Sequence, residues 1–196
     1  MAHMATRKIL DSRLGSTSLT TSRGNDKKTD GDKMSTDYLF HASAGDKLSP
    51  AGVASAILEY MAEAPEREYK ITLGSDSAGL ADKRADFVTA IVVHRVGNGG
   101  RYFWRRIFNG AKYHTLRDRM YHEVLLSLDV AHIFLSEAGN LDLPKFGFEI
   151  HVDIGENGPT SDMINELTGM IRANNFVAKT KPDSYAASKI ADRHTK

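Results

Sequence analysis

The chain has no cysteine and only one tryptophan among its 196 residues. Without cysteine it can form no disulfide bridge, thiolate nucleophile or Cys-ligated zinc site, so a bound metal must be held by oxygen or imidazole ligands. Long apolar runs are also absent, since none approaches the ~20 residues that a membrane span needs. The N-terminus lacks the basic and then apolar pattern of a secretory signal. We therefore expect a cytoplasmic protein with no membrane partner.

The composition is typical of one globular domain with a tail. Hydrophobic residues make up 41% of the chain and charged residues 26%, which are ordinary values for a soluble protein. Residues 1–47 are rich in Ser, Thr, Asp, Lys and Gly without an apolar period, and we expect a disordered tail there. We interpret residues 1–4 as partly a cloning remnant and Met34 as a candidate natural start. The folded domain is expected at residues 48–196.

The periodicity of apolar residues predicts the order of the elements. A helix begins at Ser49-Pro50, and a long helix covers residues 115–135; further helices begin at Thr160 and near Ser184. The predicted strands are residues 69–74, 86–96, 101–108, 146–152 and 176–180. Three meandering strands followed by two that are reached through helices predict an α/β fold with a five-stranded mixed sheet. The first three strands are antiparallel, and the fourth and fifth are parallel to the first.

Three carboxylates carry the functional interpretation. Asp76 and Asp153 each follow an apolar run, and Glu123 lies on the flank of the apolar stripe of the long helix. Because the first and fourth strands are predicted to be parallel, we expect all three at one edge of the sheet. Carboxylates gathered there repel one another unless a cation neutralises them, and oxygen ligands suit Mg²⁺ or Mn²⁺. Each carboxylate alone also fits a structural role in a turn, a helix surface or a cap.

A fourth ligand is expected from the C-terminal region. Asp183 stands between the fifth strand and the last helix, whereas Asp192 lies about 13 Å further along a continuous helix. Distance favours Asp183, which also fits the role of N-cap, and Asp192 or His194 would be favoured if the helix ran differently. The candidate catalytic and metal-binding residues are Asp76, Glu123, Asp153 and Asp183.

A basic stretch runs through residues 95–119, with seven Lys or Arg against one acid, Asp118. Aromatic residues are interleaved with the cations, a combination that can neutralise phosphates and stack bases. The pattern fits equally well a strand with a solvated charged face and ordinary packing aromatics. The candidate nucleic-acid-binding residues are Arg101, Arg105, Arg106 and Lys112, together with Lys181.

Five stretches of the sequence resemble the YkuK-like family of bacterial ribonuclease H-like proteins. They are GSDS (74–77), VTAIVVHR (88–95), GRYFWRR (100–106), HVDIG (151–155) and KPDSYAA (181–187). The resemblance extends from about residue 49 to the end and implies a ribonuclease H-like fold. Two departures concern RNA–DNA hybrid cleavage: Ser77 follows the first Asp where cellular ribonucleases H usually have Gly, and a longer loop, residues 75–85, is expected in place of the first hairpin.

The function expected from these residues is a nuclease that hydrolyses phosphodiester bonds in RNA or DNA with two Mg²⁺ or Mn²⁺ ions. Asp76 would bridge the ions, with Glu123 and Asp153 on one and Asp183 on the other. Two alternatives stay open. One is a non-catalytic nucleic-acid-binding module on the same fold, and the other is a protein-interaction domain whose carboxylates are merely solvated.

Overall fold

The computed structural model describes residues 38–43, 45–139, 146–157 and 160–195, and most of the predicted tail lies outside them. The strands are β1 (Phe40–Ala42), β2 (Lys47–Leu48), β3 (Tyr69–Gly79), β4 (Ala85–Arg95), β5 (Gly100–Ile107), β6 (Phe146–His151) and β7 (Val177–Lys179). The α-helices are α1 (Pro50–Ala62), α2 (Leu116–Ala138), α3 (Ile164–Ala173) and α4 (Asp192–His194). A 3₁₀ turn (Ser161–Met163) precedes α3, and a π-helix (Ala186–Ala191) precedes α4.

The strands form a mixed sheet in the order β2-β1-β5-β4-β3-β6-β7. The strands β3, β4 and β5 make an antiparallel meander, while β6 pairs parallel to β3 and β7 pairs parallel to β6. The predicted α/β class and strand directions are confirmed. The described sheet has seven strands rather than five, because β1 and β2 form a hairpin that extends it beyond β5. Strands of three and two residues are too short to show an alternating pattern.

The first hairpin differs from the expectation. The strand β3 continues to Gly79, which lies opposite Ala85 of β4, so Asp76 is inside the strand. The expected loop over residues 75–85 is therefore wrong. A tight turn over residues 80–84 is closed instead by a hydrogen bond of 2.8 Å from the Leu80 N–H to the Arg84 carbonyl. The polar residues of this part of β3 are compatible with a strand because the ladder to β4 continues past them in register.

The helices α1 and α2 cover one face of the sheet, and their N-termini are fixed by local hydrogen bonds. The Ser49 hydroxyl accepts from the Gly52 N–H at 3.1 Å at the start of α1. Thr115 and Asp118 form a reciprocal capping box at the start of α2. The buried core combines both helices with the same face of the sheet; its members include Ile57, Ile71, Leu73, Val124 and Ile150. This packing sets the position of α2 above β3.

The other face of the sheet is covered by the C-terminal segment, residues 185–195. The predicted regular helix is a π-helix followed by the single turn α4. A π-helix closes i→i+5 bonds and is usually found as a single turn, so the segment does not have the spacing of an α-helix. Its Ala191 packs on Val88 and Ala90 of β4. Within the residues described, no helix combines the length and apolar character that crossing a membrane requires.

Candidate functional site

Asp76 and Asp153 lie at the same end of two neighbouring strands. The register of β3 and β6 sets Gly74 beside His151, and each Asp is two residues further along its chain. Asp153 therefore follows the end of β6, and Asp76 is level with it inside β3, near the carboxyl edge of the parallel pair, where α/β folds bind ligands.

Glu123 is the most deeply buried carboxylate of the group, with 4% of its surface exposed. Its Oε1 accepts a hydrogen bond of 2.6 Å from the Ser77 hydroxyl. Arg119, one helical turn before Glu123, donates to the Ser77 carbonyl at 3.2 Å. Burial is the main cause that raises the pKa of Glu123 to about 8, and the charges of Asp76 and Asp153 add to it. The hydrogen bond from Ser77 and the charge of Arg119 lower the pKa and so oppose this shift. Within the described residues its buried Oε2 has no hydrogen-bond partner.

Asp76 contacts the end of the C-terminal segment. Its Oδ2 accepts a hydrogen bond of 3.1 Å from the hydroxyl of Thr195, a residue only 6% exposed. Burial, and then the charges of Asp192 and Asp153, raise the pKa of Asp76, while the Thr195 hydroxyl and the Ser77 backbone oppose the shift. The charge of Asp192 is thus close enough to act on Asp76.

Asp153 has a cation beside it. Lys181 Nζ lies 3.1 Å from Asp153 Oδ2. The other oxygen, Oδ1, is buried, and no hydrogen bond to it is found in the described part of the chain. Glu123 and Asp153 therefore each present one buried carboxylate oxygen without a protein partner, a costly arrangement unless the oxygen meets a donor or a cation.

The structure does not bring Asp183 to the other carboxylates. Asp183 is exposed in the turn that follows β7, where its N–H donates to the Thr180 carbonyl at 2.8 Å. Asp192 lies near Asp76 instead. The distance estimate assumed one continuous α-helix, whereas the C-terminal segment crosses the sheet as a π-helix and a single α-turn.

The arginines of β5 do not form one continuous surface, because neighbouring residues of a strand point to opposite faces. Arg101 pairs with Glu63 at 2.8 Å. Arg105 is 8% exposed, and its guanidinium lies 3.9 Å from the centre of the Tyr38 ring. Both are engaged on the face that carries the helices, so the interpretation of Arg105 as a nucleic-acid contact does not fit its burial.

The other candidate nucleic-acid contacts are dispersed. Arg106 faces the C-terminal segment, with Nε 3.3 Å from Asp86 and a hydrogen bond to the His194 carbonyl. Lys181 lies at Asp153. Lys112 is exposed beyond the end of β5, where it forms an isolated bridge with Arg84. Arg106 pairs with Val88 of β4, which also pairs with Asp76, so Arg106, Lys112 and Lys181 are the three candidates that lie towards the carboxylate edge.

Three residues that complete the site were missed in the sequence. Arg119 could have been found, because it lies four residues before Glu123 and residues at that spacing share a helix face. Ser77 and Thr195 give no such signal, since their contacts with Glu123 and Asp76 arise only from tertiary packing.

His122, the residue before Glu123, is not fully exposed to solvent. It is half-buried, with its ring 4.7 Å from the ring of Phe87 and 5.2 Å from that of Tyr113. Burial lowers the pKa of His122. The cause is that the chain after β5 folds back over α2, which helical periodicity alone does not reveal.

The described residues contain no group of three or more His, Asp or Glu side chains already arranged to hold a metal ion. Asp76, Glu123 and Asp153 each give one oxygen to a protein partner. The donor set nevertheless fits a hard divalent cation, since it consists of carboxylates and includes two buried oxygens without partners. An ion would replace contacts such as the one between Lys181 and Asp153.

A family model described as "Ribonuclease H-like" matches residues 52–196. The chain belongs to the ribonuclease H-like family. It is also 32% identical over 173 residues to the uncharacterized protein YkuK of Bacillus subtilis (strain 168), and the match covers 83% of this chain and 100% of that relative. No solved structure matches the chain. The ribonuclease H-like match begins within α1 and includes Asp76, Glu123, Asp153 and Asp192, whereas the β1–β2 hairpin precedes it.

Proposed function

We propose that the chain is a divalent-metal-dependent nuclease that hydrolyses phosphodiester bonds in nucleic acid. The observation that carries the proposal is the convergence of Asp76, Glu123 and Asp153 from three parts of the chain, with two buried carboxylate oxygens that find no partner among the described residues. The ribonuclease H-like family has a nuclease-type fold, which supports the same class of activity.

The residues that would hold Mg²⁺ or Mn²⁺ are Asp76, Glu123 and Asp153, with Asp192 rather than Asp183 as the fourth carboxylate. Two ions in such a site supply an activated water and stabilise the leaving oxygen of the phosphodiester. The residues of the chain position the carboxylates that would bind these ions. Ser77 fixes one oxygen of Glu123, while the other finds no hydrogen-bond partner among the described residues and is available to a cation.

Lys181 has a second role in this proposal. Lys181 Nζ lies 3.1 Å from Asp153 Oδ2, and it would be available to a phosphate of the substrate if Asp153 held the metal. Glu123 must lose its proton to bind a cation, and its pKa of about 8 means that the affinity for metal rises with pH around neutrality.

Thermal melting with and without millimolar Mg²⁺ or Mn²⁺ tests the proposal. The wild type should gain about 3 kcal/mol at a metal concentration of 100 Kd, which raises Tm by roughly 6–12 °C for a chain of this size. Asp76→Asn should show no shift and no turnover while staying folded. Asp183→Asn, an exposed carboxylate at the same end of the sheet, is the matched control and should keep the shift. Substantial nuclease activity in Asp76→Asn would contradict the assignment.

A non-catalytic nucleic-acid-binding module is the second candidate. It is favoured by one observation: the described residues form no ready-made metal cluster, and Lys181 already neutralises Asp153. This candidate predicts salt-dependent nucleic-acid binding that survives both Asp76→Asn and a chelator, together with no metal-induced rise in Tm.

A further inference from the structure

A basic rim extends the sheet beyond the carboxylates. We define it as the turn over residues 80–84 and the stretch 108–113, which lie at the end of the sheet towards which β3 runs past Asp76. Its cations are Lys83, Arg84 and Lys112. It also carries Phe108, which is 51% exposed.

Direct contacts join the two parts of the rim. Arg84 and Lys112 form an antiparallel bridge, and the Tyr113 N–H donates to the Lys83 carbonyl at 2.7 Å. The Arg84 guanidinium lies 5.1 Å from the centre of the Phe108 ring. Phe108, Lys83 and Lys112 are therefore parts of one surface.

The stretch 108–113 is held in place by Asn109. Its Nδ2 donates to the Tyr113 hydroxyl at 2.8 Å and lies 3.2 Å from His122 Nε2, while its Oδ1 accepts from the Ala111 N–H at 3.0 Å. These bonds fix the backbone beside Phe108 and tie it to α2. The aromatic ring is thus displayed from an ordered stretch, which reduces the entropy lost when a ligand binds.

The cations of the rim are not equivalent. Arg84 forms an ion pair with Asp82, its neighbour in the turn. Lys83 and Lys112 are exposed, and the described part of the chain gives neither side chain a hydrogen bond or ion pair. Lys83 has a φ of 69°, a left-handed conformation in which glycine is far more common. Local structure alone would favour glycine at this position.

The rim is close to the carboxylates. Gly79 lies at the base of the rim, three positions after Asp76 in β3. That spacing is about 10 Å along a strand. Arg119 packs against Gly79, where a Cβ would lie 3.4 Å from its guanidinium, and Arg119 also supports Ser77 beside Glu123. At about 3.4 Å per stacked nucleotide, 10 Å corresponds to roughly three nucleotides.

We propose that the basic rim binds a single strand of nucleic acid, with an unpaired base stacked on Phe108 and phosphates at Lys83 and Lys112. The inference rests on the proposed function, since the rim would lead the strand to Asp76. A single strand is favoured over a duplex because a base can stack on an exposed ring only when its face is unpaired. Two lysines on the same surface as an exposed aromatic ring suit the alternation of phosphate and base along a strand.

Binding of a fluorescein-labelled oligonucleotide of about 12 nucleotides tests the inference by fluorescence anisotropy. The measurement is made in EDTA on the Asp76→Asn background, so that neither metal binding nor turnover contributes. Phe108→Ala should weaken binding by about 5- to 100-fold, and Phe108→Trp should retain it. Lys83→Gln with Lys112→Gln should reduce the slope of log K against log salt by about 1.4.

Matched controls come from outside the rim. Leu125 is as exposed as Phe108, and Leu125→Ala should leave binding unchanged. Lys47→Gln with Lys189→Gln removes two exposed lysines elsewhere and should leave most of the binding intact. Lys83→Gly distinguishes an effect on binding from an effect on folding. Glycine adopts the left-handed backbone conformation of position 83 without strain, so Tm should stay the same or rise while nucleic-acid binding weakens.

The inference is overturned if Phe108→Ala binds the oligonucleotide as tightly as the Asp76→Asn parent does. It is also overturned if the parent does not bind the oligonucleotide, or if it binds a duplex of the same length more tightly. These outcomes are independent of the proposed function, which is tested by the metal-dependent rise in Tm and by turnover. A protein with that rise and with hydrolysis, but with Phe108→Ala unaffected, keeps its nuclease function and loses the rim as the strand-binding surface.

Discussion

At the scale of single residues, the site depends on a carboxylate that the fold holds in an unfavourable environment. Burying an ionised carboxylate without full compensation is costly, and a protein reduces the cost by keeping the group protonated. Glu123 follows this rule: burial and the nearby Asp76 and Asp153 raise its pKa to about 8. The protonated form is therefore the one that the metal-free fold prefers at neutral pH.

The stability of the metal-free protein should accordingly depend on pH through Glu123. A carboxyl whose pKa is raised on folding stabilises the fold below its unfolded pKa of 4.5, and this contribution is lost as pH rises through about 8. Between pH 5 and 8 in EDTA, the wild type should lose up to about 1.4 kcal/mol per pH unit more than Glu123→Gln. Denaturant unfolding at both pH values measures the difference.

The exposed helical residue Glu59 supplies the control for that experiment. Glu59→Gln should follow the wild type at both pH values, because this carboxylate lies on the surface of α1. If Glu123→Gln also followed the wild type, the burial of an ionisable Glu123 would not limit stability, and the electrostatic account of the site would be wrong.

Single residues also mark what a sequence can reveal about this site. Strand alternation and helix spacing are local, so Asp76, Glu123 and Asp153 could be identified and assigned to one edge. The contact of Thr195 with Asp76 joins residues from opposite ends of the domain, and no local pattern predicts it. The burial of Arg105 could not be predicted from a local pattern either. The residue that packs against its guanidinium is Tyr38, which belongs to the predicted tail.

At the scale of elements, the C-terminal segment completes the site, and ring stacking helps to hold it on the sheet. The His194 ring lies parallel to the indole of Trp104, with the ring centres 4.1 Å apart. His41 of β1 is also stacked on Trp104, at 4.4 Å. At the other end of the segment, the Ala186 N–H donates to His151 Nδ1 at 3.2 Å.

Trp104 is the only tryptophan of the chain and therefore reports on this element. His194→Ala should expose one face of the indole, shift its fluorescence emission to longer wavelength and lower stability by about 0.5–1.5 kcal/mol beyond the loss of buried area. His114→Ala changes an exposed histidine of the loop before α2 and should leave the emission unchanged. An unshifted spectrum in His194→Ala would mean that the segment does not shield the indole.

The elements were predicted unequally well, and the reasons are physical. The helix α2 and the meander of β3 to β5 carry long apolar periods and clear caps, so their type and order could be predicted. The π-helix could not, because its i→i+5 bonding leaves no distinctive residue spacing, and the assumption of a regular helix led to the choice of Asp183 over Asp192.

At the scale of the whole molecule, the compact unit begins at Tyr38 rather than at the first predicted helix. The β1–β2 hairpin brings Phe40 into the core, where it is 1% exposed. The Tyr38 hydroxyl donates to Asp129 of α2, and the Tyr38 ring lies against the Arg105 guanidinium. The hairpin therefore connects β5 to α2 and belongs to the folded domain.

Two truncations test this boundary. Removing residues 1–37 should leave Tm unchanged within a few degrees, since the compact unit starts after them. Removing residues 1–48 also deletes Phe40 and uncovers Arg105, and it should cost about 3–5 kcal/mol, the usual range for the loss of a large core aromatic residue. Equal stability of the two truncated proteins in denaturant unfolding would show that the hairpin adds nothing to the domain.

The parallel pairing of β3 with β6 has a consequence for the order in which the chain folds. It joins Tyr69 to Phe146, whereas the meander of β3, β4 and β5 joins strands that follow one another directly. Contacts between distant parts of a chain form slowly because a long loop must close first. An early intermediate that contained only the meander would hold Asp76 without Asp153. We therefore expect the carboxylates to meet late in folding, so that an ion held among them would act mainly by slowing unfolding.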